Sequence, residues 1–391
     1  MAARSIVIVG AGVSGLAAAL ELRERGWRVT VLDQGAVPHP DAASTDISKV
    51  VRLDYGADEL YTELAERALP RWDVWNAQWE RPLFHRTGFL ILTRENAMPA
   101  GGFEHASFAL LTGRGHPLER IGRADLAARF PRWNAARYGD GYFNPEGGWA
   151  ESGAVVAQLA QLCRAHGAVL HEHAPFASFL EHGSRVAGVR TRDGTEHRAD
   201  GVLLAVGAWT PFLLPELRPL LRVTGHPVLH LQPKDPAPFR PDVFPVWAVD
   251  IANTGRYGFP VNAAGLVKIA KHGRGVEIHD PAQPRVVSPA DIAEGREFLR
   301  DSLPALAGAP LAGTRQCWYG DSTDGDFLID HHPERAGLMV VGGDSGHGFK
   351  FAPVLGALIA DVLERKPAPG AGRFRWRLPR SGLEASRAPW A

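Results

Sequence analysis

A chain of 391 residues is long for one core, so two domains are expected. Lysine plus arginine equals aspartate plus glutamate at 43 each, which removes the field that would recruit nucleic acid or an anionic membrane and points to a small-molecule partner. Two cysteines build no disulfide framework, no apolar run spans a bilayer, and the first strand begins too soon for a leader, so the expected location is cytoplasmic.

Residues 6–9, Ile-Val-Ile-Val, suit a strand buried on both faces of a parallel sheet. They run into Gly10-Ala11-Gly12-Val13-Ser14-Gly15. Residues 16–25 are rich in helix formers, Gly26 is placed to end the helix, and residues 27–32 read as a second strand delivering Asp33. Gly10 permits the tight turn, Gly12 lets the backbone approach a pyrophosphate, and Gly15 lets helix and strand pack closely. The helix N-terminus at Val13 and Ser14 meets the phosphate charge. Asp33 can accept from a ribose hydroxyl and would repel a 2′-phosphate. Strand, glycines, helix, strand and acid in this order predict a dinucleotide site.

A loop of Pro and small polar residues precedes Lys49-Val50-Val51-Arg52, and a helix is expected over 58–79 with Trp72, Trp75 and Trp79 as a packing stripe. Further expectations are a strand at 87–93, helices at 123–129 and 152–164, and strands at 168–170, 185–191 and 194–198, with Asp193-Gly194 as a hairpin turn. Cys163 reads as a small buried hydrophobe, and His171 and His173 as no metal site. Residues 200–206 form a second buried strand ending at Gly207. Residues 221–273 are strand-like, with a turn at Tyr257-Gly258-Phe259-Pro260 and a strand at 265–270. A helix follows at 289–302. A third strand-glycine unit occupies 337–344, then a helix at 353–363 and an irregular arm after Arg365.

Three strand-glycine units scattered along one chain imply a discontinuous nucleotide domain interrupted by two insertions. A single nicotinamide module would not need the last of them, so FAD is favoured. The expected fold is α/β: a discontinuous Rossmann-like FAD-binding domain from segments 1–81, 151–220 and 315–391, and a second, sheet-rich substrate domain from 82–150 and 221–314.

The last third carries the densest chemistry: Cys317-Trp318-Tyr319, Asp324-Gly325-Asp326-Phe327-Leu328-Ile329-Asp330-His331-His332-Pro333, and Ser345-Gly346-His347-Gly348-Phe349-Lys350-Phe351. With the glycine turn and Lys49-Val50-Val51-Arg52, these motifs resemble the monomeric sarcosine oxidase family of FAD-dependent amine oxidases, which includes N-methyltryptophan, pipecolate, fructosyl amino acid and saccharopine oxidases. The resemblance implies a monomer that oxidises the secondary amine of an N-substituted amino acid through FAD. Molecular oxygen then becomes hydrogen peroxide. Cys317 falls at the position joined through sulfur to the flavin 8α-methyl. The turn of Gly346, Gly348, Phe349 and Lys350 would face the pyrimidine end of the reduced flavin, with Lys49 and Gly207 as further cofactor contacts. Arg52 and Lys350 match a cationic clamp for the substrate carboxylate, and Lys268 matches the lysine that promotes reaction with oxygen. His272 matches an active-site histidine, and Tyr257 and Tyr319 would line the site. Sarcosine oxidase has arginine where this chain has Lys49. The stretch S-T-D-I-S-K-V-V-R is closer to members acting on bulky N-substituents. Two other readings stay open: a dehydrogenase passing electrons to a quinone or protein, and a flavin-holding subunit without turnover.

Overall fold

The computed structural model describes residues 3–251 and 255–377. The three strand-glycine units lie side by side in a six-stranded sheet. Its order is Leu328–His331, Leu338–Gly342, Gly201–Leu204, Ser5–Val9, Arg28–Leu32, Val169–His171, and all neighbours are parallel except the first pair. Every residue of Gly201–Leu204 and Leu338–Gly342 is buried, as expected of unbroken apolar runs covered on both faces. The helix Val13–Glu24 covers one face and packs on Ala352–Leu363 and Ser152–Ala165. Gly356 makes the first contact close: a Cβ there would stand 2.3 Å from Ala17 O.

A second sheet of nine strands includes Leu221–Leu231, Val267–Lys271, Arg256–Gly258, Val246–Val249, Phe89–Thr93 and Asp140–Asn144. Leu311–Ser322 pairs with Leu221–Leu231 along its length, which sets Cys317 opposite His226. A boundary at 315 therefore falls inside a strand of this sheet. Lys49–Val51 pairs with Gly148–Ala150 in a small separate sheet.

Three expectations need correcting. Tyr257-Gly258 is not a turn: Arg256–Gly258 is a strand paired on both sides, and Gly258 is required because a Cβ would meet the Trp247 ring at 2.3 Å. The strand Phe176–His182 was not anticipated; it forms a three-stranded sheet with Arg185–Thr191 and Glu196–Arg198. The segment after Arg365 is not an irregular arm as far as residue 377. Phe374 is buried against Tyr61 and Phe327, Arg373 pairs with Asp58 and Asp326, and Arg377 pairs with Asp324. Its remainder lies outside the described residues. No helix among those residues is long and apolar enough to cross a membrane.

Candidate active site

Two cavities meet at the turn 344–348. The smaller, about 540 Å³, opens at the carboxyl ends of the parallel strands and is lined by Gly10, Gly12, Val13, Ser14, Asp33, Gly207 and Gly348. The larger, about 640 Å³, is lined by Lys49, Arg52, Tyr257, Lys268, His272, Tyr319, Gly346 and Lys350. Ser345, Gly346 and His347 face the larger space, and Asp344 and Gly348 the smaller.

The smaller cavity has the chemistry of a dinucleotide crevice. Gly10 adopts φ +103°, and a Cβ there would sit 2.4 Å from Ala205 O; one on Gly15 would sit 2.0 Å from Gly10 O. Gly12 differs. Its Cβ would meet only Ser44 Oγ, at 3.4 Å, so its bareness relieves no protein clash and leaves room for a ligand at the helix N-terminus. The Asp33 carboxylate accepts from the N–H groups of Ala11 (2.8 Å) and Gly35 (3.1 Å), which fixes it at the crevice edge. These residues fit the pyrophosphate and ribose of FAD. Three expected contacts, Gly15, Cys317 and Phe349, line neither cavity; the Phe349 ring is buried and stacks on Trp72 at 5.9 Å, leaving only its backbone at the turn.

In the larger cavity Arg52 and Lys350 flank one ring. Arg52 Cζ lies 4.8 Å and Lys350 Nζ 5.1 Å from the centroid of Tyr55. Arg52 Nη1 is buried without a hydrogen-bond partner. Lys350 is 3% exposed, and its ammonium donates to Tyr55 Oη and His347 O, each at 2.8 Å. Trp72 Nε1 donates to Lys350 O at 2.8 Å and anchors the backbone. Burial, reinforced by Arg52, holds the Lys350 pKa well below the usual lysine range, against the pull of Asp344 and Asp54.

Lys268 projects from the strand Val267–Lys271 and is 1% exposed. It donates to Ser48 O at 2.6 Å and pairs with Asp46 Oδ2 at 2.5 Å. Burial lowers its pKa to about 8 although Asp46 favours the ammonium. Burial also works against the Asp46 carboxylate, but Lys268, His230 and Lys49 outweigh it and hold its pKa well below the ordinary range. His230 Nε2 approaches Asp46 Oδ1 at 3.1 Å.

Cys317 is fully buried, its Sγ 3.8 Å from Lys49 Nζ, which lines the larger cavity, and 4.0 Å from Ala43 O, whose residue lines the smaller. Burial alone would raise the thiol pKa. Lys49, with Arg315 and Lys268, reverses the sign and lowers it, which favours the thiolate. Lys49 also stands 5.7 Å from the Tyr319 ring. His272 lines the same cavity, its backbone N–H held by Gly255 O.

All six side chains expected at the reaction centre thus face one cavity. Asp46, Ser48, Tyr55 and His230 were missed. Asp46 carried no local signal, because its partners Lys268 and His230 come from strands remote in the chain.

Comparison with known proteins places these features in context. The model of the FAD dependent oxidoreductase family matches residues 5–362. An N-methyl-L-tryptophan oxidase of Salmonella heidelberg is 31% identical over 380 residues, covering 95% of this chain and 97% of that protein. The one from Citrobacter koseri is 32% identical over 367 residues, covering 92% and 95%. Among solved structures, the fructosyl amine: oxygen oxidoreductase (amadoriase I) of Aspergillus fumigatus superposes with a TM-score of 0.81 at 27% identity, covering 96% of this chain and 90% of that one. The fructosyl peptide oxidase from E. terrenum, at 24% identity, shares the fold with a TM-score of 0.86. With a dinucleotide crevice beside a lysine-rich cavity and relatives matched over nearly their whole length, the chain belongs to the FAD-dependent oxidoreductase family.

Proposed function

We propose that this enzyme oxidises the secondary amine of an N-substituted α-amino acid and passes the electrons to oxygen, giving an imine that hydrolyses in water, and hydrogen peroxide. The observation carrying this reading is the pair of basic side chains, half-buried Arg52 and buried Lys350, in a cavity that abuts the dinucleotide crevice. FAD, when bound, supplies the acceptor for a hydride equivalent from the C–H next to nitrogen. The glycine turn and Asp33 would hold its dinucleotide end, and Cys317 would tether the ring through a thioether, prepared by Lys49 beside its sulfur. Segments 1–81, 151–220 and 315–391 would mainly hold the cofactor, with Arg52 and Lys350 as the exceptions that face the substrate, and 82–150 and 221–314 would supply most of the substrate wall.

Arg52 can grip a carboxylate with two parallel N–H donors, and Lys350 adds a point charge. Fixing the carboxylate orients the amine toward the ring. The apolar wall of Phe89, Phe103, Trp247, Ile251 and Phe259 leaves the rest of the substrate to be recognised by packing. A bulky substrate, as in the N-methyl-L-tryptophan oxidases and the fructosyl amine oxidase, suits this wall better than sarcosine. Lys268 presents a buried ammonium that favours the superoxide formed on the first electron transfer to oxygen. Two free cysteines support a reducing, cytoplasmic setting, and the motif resemblance supports a monomer.

Anaerobic mixing with a panel of N-methyl, N-fructosyl and N-carboxyalkyl amino acids tests the reading. A substrate bleaches the flavin, and peroxide then forms one-for-one with product in air. Bleaching without peroxide would favour the dehydrogenase, and no bleaching by any member would refute the assignment.

A further inference from the structure

Lys268 and Lys350 face the same cavity, and only one of them has a counter-ion. Lys268 is paired with Asp46. Lys350, equally excluded from water, forms no ion pair among the described residues, and both of its hydrogen bonds go to uncharged oxygens, Tyr55 Oη and His347 O. The Arg52 guanidinium lies against the same Tyr55 ring, with Nη1 itself buried and unpartnered. The site therefore sets two basic side chains against one cavity, with no carboxylate paired to either among the described residues.

We propose that carboxylate capture is coupled to proton uptake: Lys350, buried with hydrogen bonds only to uncharged oxygens, takes up a proton from solvent as the carboxylate seats between it and Arg52. This deepens the assigned function and rests on the carboxylate-clamp reading of the cavity.

The charged and titratable groups around Lys350 are Arg52, Asp54 and Tyr55 from the segment after Lys49–Val51, and Asp344 and His347 from its own turn. Arg52 opposes a second positive charge. Asp344 and Asp54 favour it, but Asp54 is turned to another partner: it is fully buried, accepts from Tyr142 Oη at 2.7 Å, and burial raises its own pKa. Burial of the Lys350 amine dominates, and the ammonium is disfavoured until an anion arrives. The incoming carboxylate stays ionised throughout. The amine nitrogen gains a proton from buffer, and no other bond changes. Affinity must then fall as pH rises across the window between the free and liganded pKa values of Lys350, by at most about tenfold per pH unit. A permanently charged clamp would show no such slope below the range in which exposed lysines titrate.

The test is calorimetric titration of the FAD-loaded enzyme with acetate and with phenylacetate, which carry the carboxylate without a titrating amine. At about pH 8, in buffers of different ionisation enthalpy, the slope of observed heat against buffer enthalpy counts protons taken up. We expect net proton uptake on binding in the wild type, seen as a non-zero slope. Lys350→Arg, whose charge is permanent, should still bind with the slope abolished, and Lys350→Met should also show none if the arginine variant does not fold. Binding without uptake in the wild type overturns the coupling alone. Uptake that survives both substitutions overturns it as well, because the proton then goes to another group. Absence of binding by either carboxylate sinks the clamp itself, and the assigned function with it.

Discussion

Side chains that work as cations inside a protein must be held by something, and the partners chosen here decide what each can do. Lys268 is charged below a pKa of about 8 and increasingly neutral above it, so the ammonium proposed to favour electron transfer to oxygen is lost as pH rises through that value. Flavin reoxidation in stopped flow should therefore slow with rising pH across about 8, while anaerobic reduction should not follow the same curve. Lys268→Met should slow reoxidation by at least about tenfold and leave reduction within a few-fold; equal losses in both half-reactions would exclude the role. Asp46→Asn removes the charge that favours the ammonium and should move the midpoint of that profile to lower pH. An unmoved midpoint would mean that Asp46 does not set the charge of Lys268. Arg52→Ala should raise KM about tenfold or more with a smaller change in kcat, since it removes binding common to ground and transition states. Lys268, Cys317, Arg52 and Lys350 were all legible in the sequence because each sits in a short motif. Asp46, Tyr55 and His230 were not, because their partners come from segments remote in the chain: Asp46 lies 222 residues from Lys268, and His230 reaches it from the strand Leu221–Leu231. Pairing of that kind is a tertiary fact with no local pattern.

Helices and strands were legible where one physical cause dominated. The helices at Arg123–Arg129 and Pro289–Ser302 and the three glycine-ended strands followed from periodicity and capping. One error has its own cause, that glycine has more than one use. Gly258 was taken for a turn and is instead a strand residue kept bare by an overlying indole. The tryptophan stripe of Glu59–Gln78 was rightly given to packing, yet Trp72 also fixes the carbonyl of Lys350, so a packing residue orders the clamp. The glycine turn gives the sharpest contrast. Gly15→Ala would place a methyl 2.0 Å from a backbone oxygen and Gly12→Ala would not, so the two should fail differently. Gly15→Ala should lower stability by about 1–3 kcal/mol, read as a lower melting temperature even with FAD in excess. Gly12→Ala should keep the fold of the apoprotein and lose FAD affinity. Equal melting temperatures for the two apoproteins would refute the distinction.

At the scale of the whole molecule, the scattered strand-glycine units did reveal that the nucleotide sheet is assembled from distant segments, but not that Cys317 stands on the other sheet. Its strand, Leu311–Ser322, is bonded to Leu221–Leu231, whereas the glycine turn belongs to the six-stranded sheet. A cofactor gripped at Gly12 and joined at Cys317 would therefore bridge the two sheets in the folded chain, covalently at one end only, and it could not leave on unfolding. Denatured wild type should stay yellow, with flavin mass on the peptide that carries Cys317, and Cys317→Ala should release free FAD on acid precipitation. The variant's stability then becomes a matter of mass action: raising free FAD to about a hundred times its Kd should add about 2.7 kcal/mol and lift the melting temperature with concentration. The wild type, its ligand already attached, should melt at a temperature indifferent to added FAD. A wild type that responds as the variant does would show that the sulfur holds nothing. A variant that ignores added FAD would show that the glycine crevice alone does not bind it.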